Sequence, residues 1–352
     1  MDIRLSELVS ALSHALDVTG GQPMGHAERT CLIGQRLADA VGLESAQRSS
    51  LFYALLLKDA GCSTTAAQIA TTFGSDDLQV KRESRLIDTQ RPRTALGYLR
   101  RNVAPGASLR ERARHLRAVM AMSHGGVDEL ERDVCFWASL EMPDVQAVEP
   151  ADRVLRADDA GLDRVAEAFA GIVDAKSPYT ARHCEGVAEI ADGIAATMGL
   201  DHATRRLLRR AALLHDLGKL GVSNRILDKP GPLTDGEWSA VRRHPRLSMI
   251  ILRAVPALAP VGRLSATHHE RLDGSGYPYG LTASELKLPD RVLQVADVTD
   301  ALTSERPYRQ ALSPDEGLAI MRYDAGKRLD ADAFAAVESW LPHRPSRLTV
   351  VA

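Results

Sequence analysis

The sequence predicts an all-α protein made of two related helical units, and three observations carry that prediction. Ala, Leu and Arg are plentiful while aromatic residues make up only 4% of the 352-residue chain, a composition that favours helices over strands. Apolar residues recur at helical spacing, and no stretch alternates with period two for long enough to suggest a sheet. Displacing the chain by 157 residues superimposes its first half on its second without a gap. That register pairs Leu5 with Leu162, Asp17 with Asp174, His26 with His183, and Gly42-Leu43 with Gly199-Leu200. It continues through Ala46 on Ala203, Arg48 on Arg205, Leu56-Leu57 on Leu213-Leu214, Asp59 on Asp216 and Gly61 on Gly218. Ala and Leu matches arise easily in helical proteins, whereas two glycines, a histidine and an aspartate in one register do not.

Taken in order, the elements begin with the amphipathic segment MDIRLSELVSALSHALDV, whose Asp2 and Glu7 argue against a secretion signal. The first unit spans 1–150. Within it, Lys81 to Arg117 holds eleven Lys/Arg against three acids. Such a run is ordinarily a solvated helix face, with an anionic partner or a contact to the other half as the alternatives. The boundary falls in 142–160, a Pro- and Asp-containing stretch of weak periodicity, and the second unit spans 151–352. Its first helix, LDRVAEAFAGIVD at 162–174, puts Leu162, Val165, Ala168/Phe169 and Ile172/Val173 on one stripe. Segments 184–200 and 203–215 repeat the pattern, and Gly199 supplies a stop for the first. The segment HERLDGSGYPYG at 269–280 is rich in Gly and Pro and reads as a loop.

Composition excludes several classes. The net charge of -2, from 44 Lys+Arg against 46 Asp+Glu, argues weakly against a nucleic-acid binder acting through the whole chain. No apolar run approaches the roughly 18 residues of a membrane span. The four cysteines, Cys31, Cys62, Cys135 and Cys184, form no CxxC pattern and suggest no disulfide framework. A soluble cytoplasmic protein is expected.

The second unit concentrates residues that can bind metal: His183, the adjacent His215-Asp216, His244, the adjacent His268-His269, and Asp297. Imidazole with carboxylate suits Mn, Fe, Co, Ni or Zn. The 32 residues from His183 to His215 allow one helix, a turn and a second helix returning antiparallel. A lone histidine such as His14, His202 or His343 is ordinarily exposed or capping. An adjacent His-Asp and an adjacent His-His in one domain are hard to explain by packing, because each buried polar group without a partner would cost about 1–3 kcal/mol. Seven such side chains exceed what one metal needs and suit two ions about 3.5–4 Å apart, with Asp216 as the bridging carboxylate. Lys219, four residues after His215, would lie on the same face if the helix continued. Tyr277 and Tyr279 could stack on a base. Asp300 follows Asp297 by one turn, and Arg306 and Arg309 could grip phosphates.

Together, HDLGK (215–219), HP (244–245), HHERLDGSGYP (268–278), ADVTDAL (296–302) and RPYR (306–309) resemble the HD-GYP family, a branch of the HD metal-dependent phosphohydrolases. The resemblance covers about 160–340, in family order. It implies an all-helical domain that hydrolyses cyclic dinucleotides, chiefly cyclic di-GMP, to the linear dinucleotide and sometimes to GMP. By position it makes His183, His215, Asp216, His244, His268, His269 and Asp297 metal ligands, with Lys219, Tyr277, Asp300, Arg306 and Arg309 on the substrate. Asp216 and Lys219 would carry the chemistry, and Gly276–Pro278 would shape the pocket wall. Where some members carry a Glu for a third metal this chain has Tyr179, so two divalent transition metals are expected, Fe or Mn first. Ser248 stands where the family tends to have Gly, and is expected to alter local packing more than chemistry.

The first half reads as an HD-like unit that has lost its site. Lys58 replaces the histidine and Cys62 the lysine, and an ammonium there would repel a cation. It is expected to be a structural or regulatory partner domain. Cyclic GMP-AMP as substrate, a sensor that binds without cleaving, and a scaffold recruiting protein or nucleic acid are the alternatives. A sensor would ordinarily lack a ligand, and none is missing here. A homodimer is plausible from the tandem helical faces.

Overall fold

In the computed structural model the described residues are 2–84, 92–122, 145–180, 182–305 and 309–343, and they are overwhelmingly helical. The one sheet among them is a two-residue antiparallel pair, Ile3 facing Ala157 and Arg4 facing Arg156. The helices of the second half run over Asp159–Asp174, His183–Thr197, His202–Leu214, His244–Arg253, Ala259–Thr267, Leu288–Thr303, Pro314–Asp324 and Ala331–Trp340, with two shorter helices at Asn224–Leu227 and Asp235–Val241. The three helices legible from periodicity begin and end within three residues of their expected bounds.

Local chemistry explains the ends. The Asp158 carboxylate accepts from the Gly161 amide at 2.8 Å, and Asp201 accepts from Thr204 at 3.0 Å. Each satisfies one of the amides that a helix start leaves open. Thr234 with Glu237, and Ser313 with Glu316, form capping boxes. Gly199 stops its helix in the left-handed region, at φ +70°, where a side chain would be strained.

The repeat is visible in these details. Gly42 also lies at positive φ, and the Leu43 amide bonds the Ala38 carbonyl just as Leu200 bonds Ala195, both at 2.9 Å. Asp17 accepts from the amides of His26 and Ala27, and Asp174 accepts from that of Cys184. The matching aspartate in each half thus anchors the start of the helix that carries the matching histidine.

The halves share apolar interior. Leu8, Leu12, Ala15 and Leu16 of the first helix, Leu5–Thr19, lie in one buried cluster with Leu162, Phe169, Ile190, Leu213 and Leu293. A smaller cluster of Val9, Cys31, Phe52 and Leu56 belongs to the first half alone. Within the basic run, Arg100, Arg101, Arg110, Arg114 and Arg117 are exposed. Among the described residues no helix is long and apolar enough to cross a membrane.

Candidate metal centre

Four helix ends and one helix side converge on a buried volume. His183 opens its helix, His215 follows the end of His202–Leu214, and His244 opens His244–Arg253. His268 and His269 follow Ala259–Thr267, and Asp297 projects from Leu288–Thr303. All seven expected ligands are brought together, and all but His269 are buried.

Each buried imidazole is fixed from behind. The Nδ1 atoms of His215, His244 and His268 lie 2.7, 2.7 and 2.6 Å from the carbonyl oxygens of Ala212, Val241 and Ser265. His183 Nδ1 lies 2.7 Å from Asp300 Oδ2. With the proton on Nδ1, the lone pair of the neutral ring sits on Nε2 and faces the centre.

The carboxylates divide what they face. Asp216 Oδ1 is 3.2 Å from His244 Nε2 and 3.8 Å from His268 Nε2. Its Oδ2 is 3.3 Å from His215 Nε2 and 3.5 Å from His183 Nε2. Asp297 Oδ1 lies 3.4 Å from His183 Nε2, and its Oδ2 lies 3.6 Å from His269 Nδ1. Two nests result, one of His183, His215 and Asp297, the other of His244, His268 and His269, with Asp216 between them.

The donor set fits cations. His244 Nε2 and His268 Nε2 are 3.2 Å apart, and since both Nδ1 atoms face carbonyls, two lone pairs confront each other. Among the described residues, His215 Nε2 and Asp216 Oδ1 are buried with no hydrogen-bond partner. A positive ion relieves both conditions. Burial, and then the neighbouring imidazoles, hold His268 and His269 well below the ordinary histidine range, so both are neutral, as ligation requires. Burial opposes the charge of Asp216, but its close neighbours, the Lys219 ammonium among them, hold its carboxyl well below the usual range.

Lys219 does not lie on a continuing α-helix. The helix ends at Leu214, and a tighter 3₁₀ segment, Leu217–Gly221, brings the Lys219 Nζ to 2.5 Å from Asp216 Oδ2. That segment packs against the His244 helix so closely that a Cβ on Gly218 would lie 2.0 Å from the His244 carbonyl oxygen. Ser248 bonds it in place, its hydroxyl accepting from the Gly218 amide and donating to the His215 carbonyl, both at 2.8 Å. The serine therefore ties the motif together, a larger role than packing.

Two expected substrate contacts have other partners. Asp300 is buried, with a carboxylate oxygen on His183 Nδ1 and on Ser304, so it backs one of the expected ligands. Arg309 donates to the carbonyls of Ala301 and Leu302, closing the end of Leu288–Thr303, because a helix C-terminus offers unpaired acceptors to a guanidinium. Arg306 lies outside the described residues. Tyr277 does border the centre, its ring 4.7 Å from that of His269. Arg242, unmarked in the sequence, lies 5.4 Å from the Tyr277 ring and 5.6 Å from that of Trp238. The loop bearing Tyr277 is held by Glu270, fully buried, which accepts from the amides of Tyr279 and Leu281. Gly276 crosses Glu270 so closely that a Cβ would lie 2.3 Å from its Cα.

A groove of about 550 Å³ opens at Lys219. Two segments supply walls to it, Ser177, Tyr179 and Thr180 from one and Ile226, Leu227 and Lys229 from the other, and Trp238 also lines it.

A family model described as HD domain matches residues 167–333. A 3′3′-cGAMP-specific phosphodiesterase of Vibrio cholerae is 33% identical over 98% of this chain and 96% of its own length. This chain belongs to the HD-GYP family. A second curated member, a cyclic di-GMP phosphodiesterase response regulator of Xanthomonas campestris pv. campestris, is 38% identical to this HD-GYP chain over 48% of it and 44% of the relative. A crystal structure of a cyclic GMP-AMP-specific phosphodiesterase of V. cholerae superposes with a TM-score of 0.53 at 32% identity, covering 98% of this HD-GYP chain and 99% of the other.

Proposed function

We propose that this chain is a metal-dependent phosphodiesterase that opens a cyclic dinucleotide, with 3′3′-cyclic GMP-AMP as its substrate. The observation that carries the reaction class is Asp216, whose two oxygens face two separate histidine nests while Lys219 contacts it from the groove side. The choice of substrate is supported by a relative that matches both halves of the chain and is named for cyclic GMP-AMP. Cyclic di-GMP is the second reading, favoured by the HHERLDGSGYP motif and by relatives that match the second half.

In this reading His183, His215 and Asp297 would hold one ion and His244, His268 and His269 a second, with the Asp216 carboxylate facing both. Ions held there would lower the pKa of a water and neutralise phosphoryl charge. The chain's own groups do the rest. Lys219, at the mouth of the groove, donates to a phosphoryl oxygen and can pass a proton to the departing 3′ oxygen. Water oxygen bonds to phosphorus as the bond to the 3′ oxygen breaks, leaving a 5′ phosphate and a 3′ hydroxyl. Tyr277, stacked on His269 and under Arg242, fixes the rim against which the substrate lies.

The test is chromatographic, on the full chain reconstituted with Mn or anaerobic Fe. The wild type should cleave cyclic GMP-AMP faster than cyclic di-GMP, and a His215→Ala, Asp216→Ala double variant should cleave neither. Faster cleavage of cyclic di-GMP would select the second reading. Binding of either without cleavage by the metal-loaded wild type would contradict the enzyme reading.

A further inference from the structure

Beside the metal centre, the wall of the groove is pinned from the other half of the chain. Asp77, at the start of the first-half helix Asp77–Ser84, is fully buried. Its Oδ1 accepts from the Ser223 hydroxyl at 2.9 Å and from the Asn224 amide at 2.8 Å. Ser223 and Asn224 begin the short helix Asn224–Leu227, which follows directly on the segment carrying Lys219 and supplies Ile226 and Leu227 to the groove.

The bonds continue to the neighbouring segment that also lines the groove. Asn224 Nδ2 donates to the Lys176 carbonyl at 2.6 Å and to Asp228 Oδ2 at 2.9 Å. The Ser177 hydroxyl donates to the other oxygen of Asp228, and the Tyr179 amide donates to Ser177 Oγ at 3.2 Å. Ser177 and Tyr179 both face the groove. Lys176, itself 1% exposed, turns its ammonium toward Asp77 Oδ2 at 4.0 Å. One first-half carboxylate thus sits at the root of a largely buried network that joins both walls. Buried hydrogen bonds of this kind fix geometry, since leaving any donor unpaired is costly.

We infer that Asp77 is a positioning residue for substrate binding, through which the first half of the chain holds the two walls of the groove beside Lys219 at their working separation. The inference rests on the proposed function in taking the groove as the place where the cyclic dinucleotide lies. It gives the first half a task independent of its lost metal site. Asp77 lies outside the aligned histidine and aspartate positions, so neither the repeat nor any motif pointed to it.

The experiment compares full-length, metal-loaded wild type, Asp77→Ala, Asp77→Asn and Ser223→Ala. It reads kcat, KM, bound metal, and amide hydrogen exchange across 223–229. Losing the acceptor in Asp77→Ala should raise KM about fivefold or more, the equivalent of one or two net hydrogen bonds, with kcat within about twofold. Exchange at 224–227 should quicken while bound metal stays at the wild-type level. Asp77→Asn keeps an acceptor oxygen and should recover most of the loss. Ser223→Ala, which removes one donor and no charge, should move KM and exchange in the same direction, and stands in if Asp77→Ala does not fold. Unchanged KM and exchange in the variants would overturn the inference. So would a parallel loss of kcat and bound metal with KM unmoved. If the wild type cleaves no cyclic dinucleotide, the functional reading fails by itself, and the exchange comparison still decides whether Asp77 holds the walls.

Discussion

Among the proposed ligands His183 is supported by a side chain, where His215, His244 and His268 lean on carbonyls of their own preceding turns. Asp300 is that support, and its charge-assisted bond should raise the basicity of Nε2 as well as aim it. Asp300→Ala is expected to weaken metal binding about 10- to 100-fold with the helical content unchanged, as read by competition with a chelator. Wild-type affinity in that variant would contradict the role. The sequence showed that Asp300 follows Asp297 by one turn, but one turn fixes a helix face only coarsely. Whether a carboxylate on that face meets substrate or the back of a ligand depends on how Leu288–Thr303 crosses the His183 helix, which no local pattern encodes. The partners of Arg309 were illegible for a related reason, because a guanidinium suits a phosphate and a row of terminal carbonyls equally well.

At the level of elements, the long helices were legible because each carries its own period and its own stop. What lies between them was not. Lys219 shares a face with His215 on the condition that its helix continues, yet Leu217–Gly221 tightens to 3₁₀ and reaches the His244 helix at a distance only a glycine tolerates. Gly218→Ala should therefore destabilise the chain by about 2–4 kcal/mol, since the atom it meets is backbone and cannot swing aside. Urea unfolding would measure this, and a loss under about 0.5 kcal/mol would contradict the packing described. Ser248 was visible only as a departure from the family's glycine. Its two bonds to His215 and Gly218 become apparent once the two segments are seen side by side.

Over the whole molecule, the 157-residue repeat explains both what the halves share and where they part. Asp17 and Asp174 start equivalent helices, and Gly42 and Gly199 end them. At the centre the equivalence breaks, because Lys58 takes the place of His215 and sets its ammonium 2.6 Å from Asp59, the counterpart of Asp216. By register a fixed charge thus stands where the second half has the His215 of its histidine clusters. The histidine and aspartate clusters of the second half were legible because apolar packing alone seldom places His beside Asp and His beside His in one domain. The buried links between the halves were not, since the shared apolar face of Leu5–Thr19 and the Asp77 carboxylate carry no local signature.

The central claim is that one half binds two bridged ions and the other binds none. Metal content of the full chain, measured by elemental analysis after reconstitution and removal of free ions, tests it most directly. The account predicts two ions per chain in the wild type, two in Asp59→Ala, and fewer than one in Asp216→Ala. Two ions retained by Asp216→Ala, or ions lost from Asp59→Ala while Asp216→Ala keeps its own, would contradict it.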